Sequence, residues 1–387
     1  MKKKWIFLLL TLNMIVSLLA GCGANNTAKA WPDTGMDIRK ICRRKMTITM
    51  VLFIIVVLLS FICLFIGSSH MSPKECFAAL TQKGTAANVR IIWNIRIPRV
   101  LAAVITGAGL SISGLIMQCC LNNPMASPSI LGVSNAAVFG ANLSIIVFAG
   151  GFLSTGNNLS NYATGANPYA TSVMAFIFAV GSILMILGLC QIRSFSPGVV
   201  VLAGTAIGSV WNAATTILQF YATDVGISAA VIWNFGDLGR ATYRTDFIMA
   251  VVVMAGFAFF WFMSWKYNAL LSGDDTARSM GINVDFLRFF SMLLASVITA
   301  VCVSFLGIIG FVGIICPHVV KRLIGQDHRF SVPMSALSGS LLLVLADTFS
   351  RSMGNGSALP VGAITTLLGA PFFLTIIFSK KKEKIRC

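Results

Sequence analysis

Residues 39–66 read RKICRRKMTITMVLFIIVVLLSFICLFI. Five cations crowd the seven positions from Arg39 to Lys45, and no charge follows from Ile48 to Ile66. About 20 mostly apolar residues cross the hydrocarbon core of a bilayer. Lys and Arg gather on the side of a span that stays in the cytoplasm. The stretch therefore reads as a membrane span whose N-terminal side lies inside the cell.

The same alternation runs through the chain. Of 387 residues 57% are hydrophobic and 11% charged, with mean hydropathy +0.85. Soluble domains carry about 25% charged residues, so a soluble enzyme, a nucleic-acid binder and a disordered tail are excluded. Further runs at Pro98–Gln118, Ile130–Gly150, Thr171–Cys190, Val199–Tyr221 and Phe247–Ser264 predict five more spans. Four others follow at Phe289–Leu306, Ile308–Ile324, Pro333–Arg351 and Val361–Phe378. The fold class is all-α polytopic, with about ten transmembrane helices. With the first span's start inside, cytoplasmic segments hold seventeen Lys and Arg against eight outside, and both ends of the 47–379 domain lie inside. The net charge of +17 is thus a topology signal, and no nucleic acid is implied.

Small residues mark close helix contacts. Gly107, Gly109, Ser111, Ser113 and Gly114 crowd the second span, and Gly307, Gly310 and Gly313 predict a packing stripe. Ten scattered cysteines and three histidines offer neither a disulfide framework nor a metal site. His318 after Pro317 reads as a helix-end hydrogen-bonding group.

The first thirty residues stand apart. A basic start, an apolar core at Trp5–Leu19 and the sequence Leu19-Ala20-Gly21-Cys22 resemble a bacterial lipoprotein signal with Cys22 as the lipidated residue. Residues 31–46 form a basic cytoplasmic lead-in, and 380–387 a basic tail. Lipidation at Cys22 would put the lead-in outside, so the segment reads either as an inert N-terminal addition or as the remnant of a fusion with a lipoprotein gene, and lies outside the fold.

Twelve acids occur in the chain, none between Cys76 and Thr223. Asp347 is the carboxylate placed clearly within a span, with Asp246 at an edge and Arg351 one turn beyond Asp347 for a local ion pair. Ion-coupled carriers keep ionisable groups at mid-membrane, which disfavours that class. No Gly-Lys dipeptide occurs, so there is no phosphate-binding loop, and energy for active transport would come from a partner. The cytoplasmic loop 265–288 carries a short helix, begun by Gly273, Asp274 and Asp275 and stopped by Gly281. Trp211, Asn212 and Gln219 on the fifth span are candidate pathway residues.

Several motifs resemble one family in its own order. They are Arg96-Ile-Pro-Arg99, Gly107-Ala-Gly109, Asn123-Pro124-Met-Ala-Ser-Pro128 with Leu131-Gly132-Val-Ser134, and Gly310-Phe-Val-Gly313 with Pro317-His318. Asp327-His328-Arg329, Ala346-Asp347, Leu359-Pro360-Val-Gly362 and Gly369-Ala-Pro371-Phe372 complete the set. The resemblance is to the FecCD permeases of ABC importers for ferric siderophores, haem and vitamin B12. It implies a permease with no catalytic site and no cofactor of its own, in a bacterial cell membrane. It further implies a second permease subunit, two ATPase subunits carrying ATP and Mg, and an extracytoplasmic substrate-binding protein. By that likeness Gly273, Asp274, Ala277 and Gly281 form the ATPase-coupling helix, although the family usually has Glu where Asp274 stands. Arg96, Arg99 and Arg351 match the outer arginines that dock the binding protein, and Ser196-Pro197-Gly198 the cytoplasmic gate. The rival readings are an ion-coupled secondary carrier and a membrane-embedded enzyme using His318 and Asp347.

Overall fold

A computed structural model describes residues 35–67, 71–149, 167–192, 196–353 and 358–379. Among the described residues every regular element is helical. The basic lead-in and the first span are one helix, α1 (Gly35–Cys63), whose Val51, Phe53, Ile54, Val57, Leu58 and Phe61 remain exposed, as an element solvated by lipid should. α2 (Pro73–Leu80) starts in a capping box between Ser72 and Glu75. α3 (Ala86–Ile91) widens into a π turn at Ile92–Arg96 and continues as α4 (Ile97–Cys120). The widened turn precedes Pro98, whose missing N–H cannot continue an α-helical ladder.

The remaining helices are α5 (Val133–Leu143, extended by a π turn to Phe148), α6 (Pro168–Ile192), α7 (Pro197–Phe220), α8 (Asp224–Asn234) and α9 (Tyr243–Phe262). Then come α10 (Ser264–Leu271), α11 (Asp274–Ser279), α12 (Val284–Leu306), α13 (Val312–Ile324), α14 (His328–Met353) and α15 (Val361–Ser379). All ten predicted spans fall on helices. Seven of these helices are long and apolar enough to cross a membrane alone, whereas Val133–Phe148 and Val361–Pro371 are shorter apolar helices.

α4 is the axis of the bundle, buried on nearly every side from Pro98 to Cys120. Its glycines set the closest crossings. A Cβ on Gly114 would sit 1.8 Å from the Gly313 carbonyl oxygen of α13, and one on Gly107 2.3 Å from that of Gly339 on α14. The predicted Gly307–Gly310–Gly313 stripe does not form on one helix face. Gly307, at φ +80°, ends α12, and the chain stays non-helical until Phe311 at φ +64°. Only Gly313 of the three packs on α4; Gly307 faces the Trp233 carbonyl. The eighth span is correspondingly cut to thirteen residues.

Pro317, Pro333 and Pro371 lie inside helices, and for the first two other side chains take over the carbonyls they free. Pro317 cannot bond the Gly313 carbonyl, which accepts Gln118 Nε2 at 3.4 Å. Pro333 cannot bond the Arg329 carbonyl, which accepts Trp261 Nε1 at 3.3 Å. The ninth span therefore starts at His328, five residues before its expected start. His318 lies half-buried in mid-helix, which corrects its placement at a helix end.

Candidate functional site

Charged groups collect at the two ends of the bundle. At a rise of 1.5 Å per residue, the step along α4 from Arg99 to Gln118 separates the two ends by about 29 Å.

At the Gln118 end, α10 and α11 form a small unit beside the spans. Gly273 (φ +111°) and Gly281 (φ +79°) bracket α11 in backbone conformations that disfavour side chains. Asp274 meets Arg288 of α12 through two bonds of 2.7 and 2.8 Å. Arg288 is 5% exposed and Asp274 42%, so a deeply set cation holds the acid that begins α11. Ala277 is fully buried and anchors α11 against the bundle. Asn268 ties α10 to α14: its amide donates to Asp327 Oδ1 at 2.8 Å, and its Oδ1 accepts the His328 backbone N–H at 2.8 Å. The same oxygen lies 3.0 Å from His328 Nδ1. Tyr267 is buried with its hydroxyl 2.7 Å from Ser291 Oγ, and burial pushes its phenol above the ordinary range. Lys321 donates to Gln118 Oε1 at 2.9 Å, joining α13 to α4. What remains outward is a mixed surface of Leu271, Asp275, Thr276, Arg278, Met280 and Phe286.

At the other end the three predicted arginines are turned inward. Arg96 donates to the Leu64 carbonyl at 2.7 Å and reaches Cys76 Sγ at 3.6 Å. Arg351 donates to the carbonyls of Ile66 at 2.8 Å and Cys63 at 3.3 Å. Both satisfy carbonyls where α1 ends, where a cation also complements the helix dipole. Arg99 donates to Asp347 Oδ1 at 2.6 Å and lies 3.5 Å from Asp237. The expected i,i+4 pair is present: Arg351 Nε lies 2.9 Å from Asp347 Oδ2. All three arginines are buried, so none presents its guanidinium as an exposed docking group. A buried charge must be compensated from within, and here Asp347 and the carbonyls of the 63–66 turn do so.

The candidate gate and pathway residues separate along α7. Ser196 caps α7 by accepting the Val199 N–H, with Pro197 in the first turn. Ser196 and Gly198 are exposed. Trp211 points inward, donating to Ser182 at 3.0 Å and packing on Phe139 and Phe178. Gln219 donates to Asn142 at 3.0 Å. Neither faces outward; the seam between α5, α6 and α7 takes both side chains. Asn212 alone of the three is exposed, on a face shared with Thr205, Ser209, Ala213 and Thr216. The hydroxyls on that face bond carbonyls of their own helix. Cys22 lies outside the described residues.

Asn268, Arg288, Gln118 and Lys321 did not stand out as site residues in the sequence. A signal existed for Arg288, an arginine within an apolar helix, once the seventh span is started at Val284 instead of Phe289. Asp246 is buried, and its carboxylate has no hydrogen-bond partner among the described residues. No group of three or more metal-ligating side chains occurs among the described residues.

An all-helical bundle with a buried central span and a clamped pair of short end helices is the architecture of a multi-pass membrane permease. The chain belongs to the FecCD transport family, which matches residues 53–379, a family of ABC transporter permeases. It is 42% identical over 342 residues to a protein of Methanocaldococcus jannaschii named as an ABC transporter permease, covering 88% of this chain and 97% of that one. It is 32% identical over 329 residues to the hemin transport system permease protein HmuU of Yersinia pestis, covering 84% and 95%. A solved metal-chelate type ABC transporter in an inward-facing conformation superposes with TM-score 0.74 at 25% identity, covering 86% of this chain and 99% of that one. Membership replaces the carrier and enzyme readings.

Proposed function

We propose that the chain is the translocating subunit of an ATP-driven importer for an iron chelate, haem or a related corrinoid. In this reading a second permease subunit completes the pathway, and two ATPase subunits bind the α10–α11 end, which lies in the cytoplasm. A substrate-binding protein delivers cargo to the opposite end. The relatives' names support the cargo class, since they include hemin, ferric citrate and cobalamin systems.

One observation carries the coupling assignment. α10 and α11 are each fastened to a different spanning helix, α14 through Asn268 and α12 through Asp274–Arg288. A push delivered to this unit would move both spans instead of deforming a loop. Gly273, Asp274, Ala277 and Gly281 hold the unit in place, and Asp275, Arg278, Met280 and Phe286 offer the contact surface. Asn212 and its hydroxyl-lined face on α7 line the pathway, with Ser196-Pro197-Gly198 at its cytoplasmic mouth. Direct docking through Arg99 or Arg351 would require a partner carboxylate to displace Asp347. The chain itself carries no cofactor in this reading; ATP and Mg belong to the partners.

The test is purification of the tagged chain in mild detergent from cells expressing its neighbouring transport genes, followed by mass spectrometry. Co-purification of a phosphate-loop ATPase, together with ATP-dependent uptake of labelled ferric chelate or haem into vesicles, is the expected result. A chain that takes up such cargo with no ATPase present would overturn it.

A further inference from the structure

At the α10–α11 end the bundle's lateral surface carries a band of cations seated on aromatic rings. Lys45 of α1 places its Nζ 5.5 Å from the centre of the Phe330 ring on α14. Lys266 of α10 sits 5.5 Å over Trp265, itself half-exposed. Between them Arg329 is exposed, and its backbone carbonyl takes the indole N–H of half-exposed Trp261. None of Lys45, Lys266 and Arg329 has an ion pair among the described residues. Arg43, Arg44 and Arg322, also exposed, extend the field. Asp327, the acid two residues before Arg329, already accepts the Asn268 amide and the Arg329 N–H.

Unpaired cations beside half-buried tryptophans suit the headgroup layer of a bilayer. On α1 the face that follows Lys45, through Ile48 and Leu52, packs with Phe330. Met50, Val51, Phe53 and Ile54, about one to three turns on and round the flanks of the helix, are exposed and offer apolar surface for acyl chains. Anionic headgroups attract such juxtamembrane cations. We infer that this band between α1, α14 and α10 binds an anionic phospholipid, its phosphate among Lys45, Lys266 and Arg329 and its tails along α1. A phosphodiester fits better than a soluble partner because Lys45 stands on α1, whose following turns are lipid-solvated, and half-exposed Trp261 and Trp265 flank the other cations.

The experiment is native mass spectrometry of the full chain exchanged into equal phosphatidylglycerol and phosphatidylcholine. The wild type is compared with Lys45→Gln/Lys266→Gln/Arg329→Gln and with Lys74→Gln/Lys83→Gln/Arg90→Gln, which removes the same charge at the opposite end. The wild type and the control variant retain phosphatidylglycerol preferentially, and the site variant loses about fivefold of that preference per cation removed. Single variants at Lys45 and Arg329, each expected to lose about fivefold, serve if the triple variant elutes as an aggregate. Equal retention of both lipids by the wild type, or equal losses in the two triple variants, would overturn the site.

Discussion

The two charged ends are built to opposite plans. Around Asp347 a buried carboxylate sits between two buried arginines, and the groups it joins all belong to long helices. Around Asp274 a half-exposed carboxylate is held by one buried arginine, and what it joins to the bundle is a helix of six residues. The first arrangement cross-links spans with one another. The second fastens a small peripheral unit to a span, leaving its outer side free. Charge at one end thus ties spans to each other, and at the other it fastens the unit to which the proposed function assigns transmission of movement.

The strongest test of this contrast is Asp347→Ala. It leaves Arg351 in the interior without its counter-charge and Arg99 with only the half-exposed Asp237, and breaking a buried ion pair costs about 3–5 kcal/mol. A sharp fall in the yield of monodisperse protein and in its apparent thermal transition is expected. Unchanged thermal behaviour would mean that the cluster does not hold α4 to α14.

Asp274→Asn comes next. Arg288 keeps its depth but loses its charge partner, at about 1–3 kcal/mol. Replacing both residues, Asp274→Asn with Arg288→Met, should recover much of that stability, because a buried pair is readily exchanged for apolar packing. Transport should stay impaired in the double variant. Recovery of transport along with stability would reduce the pair to a packing feature.

Asn268→Leu tests the other fastening. It leaves the His328 N–H and the Asp327 carboxylate short of a partner, for about 1–2 kcal/mol. Basal ATP hydrolysis by the assembled complex should continue while uptake falls, since α10 is released from α14. Loss of hydrolysis and uptake together would place Asn268 in assembly instead of transmission.

Ten spans were legible in the sequence because apolar length is a strong signal, and so was the Asp347–Arg351 pair, which needs only helical spacing. Legibility failed where a distant side chain rewrites local rules. Pro333 reads as a helix start until Trp261 supplies the donor that the Arg329 carbonyl lacks. Gly307, Gly310 and Gly313 read as a stripe until positive φ angles at Gly307 and Phe311 break the helix. Arg96, Arg99 and Arg351 read as outward charges because nothing local reveals the carbonyls of the 63–66 turn. Trp211 and Gln219 share a helix with Asn212, and only their partners Ser182 and Asn142 decide which way each faces.

The smallest effect on stability belongs to Arg278→Ala. Arg278 and Asp285 lie 3.4 Å apart with both side chains 56% exposed, and exposed pairs of this kind contribute little. The thermal transition should move by less than an equivalent of about 0.5 kcal/mol. Yet Arg278 stands on the outer side of α11, beside Asp275 and Met280, where the proposed ATPase would sit. Its removal should therefore weaken co-purification of the ATPase while leaving the isolated chain as stable as before. The variant separates the two ends by mechanism, because Asp347→Ala lowers stability first and partner binding only in consequence. Retained ATPase binding and full uptake in Arg278→Ala would move the contact surface away from α11, toward the exposed Phe286 at the start of α12.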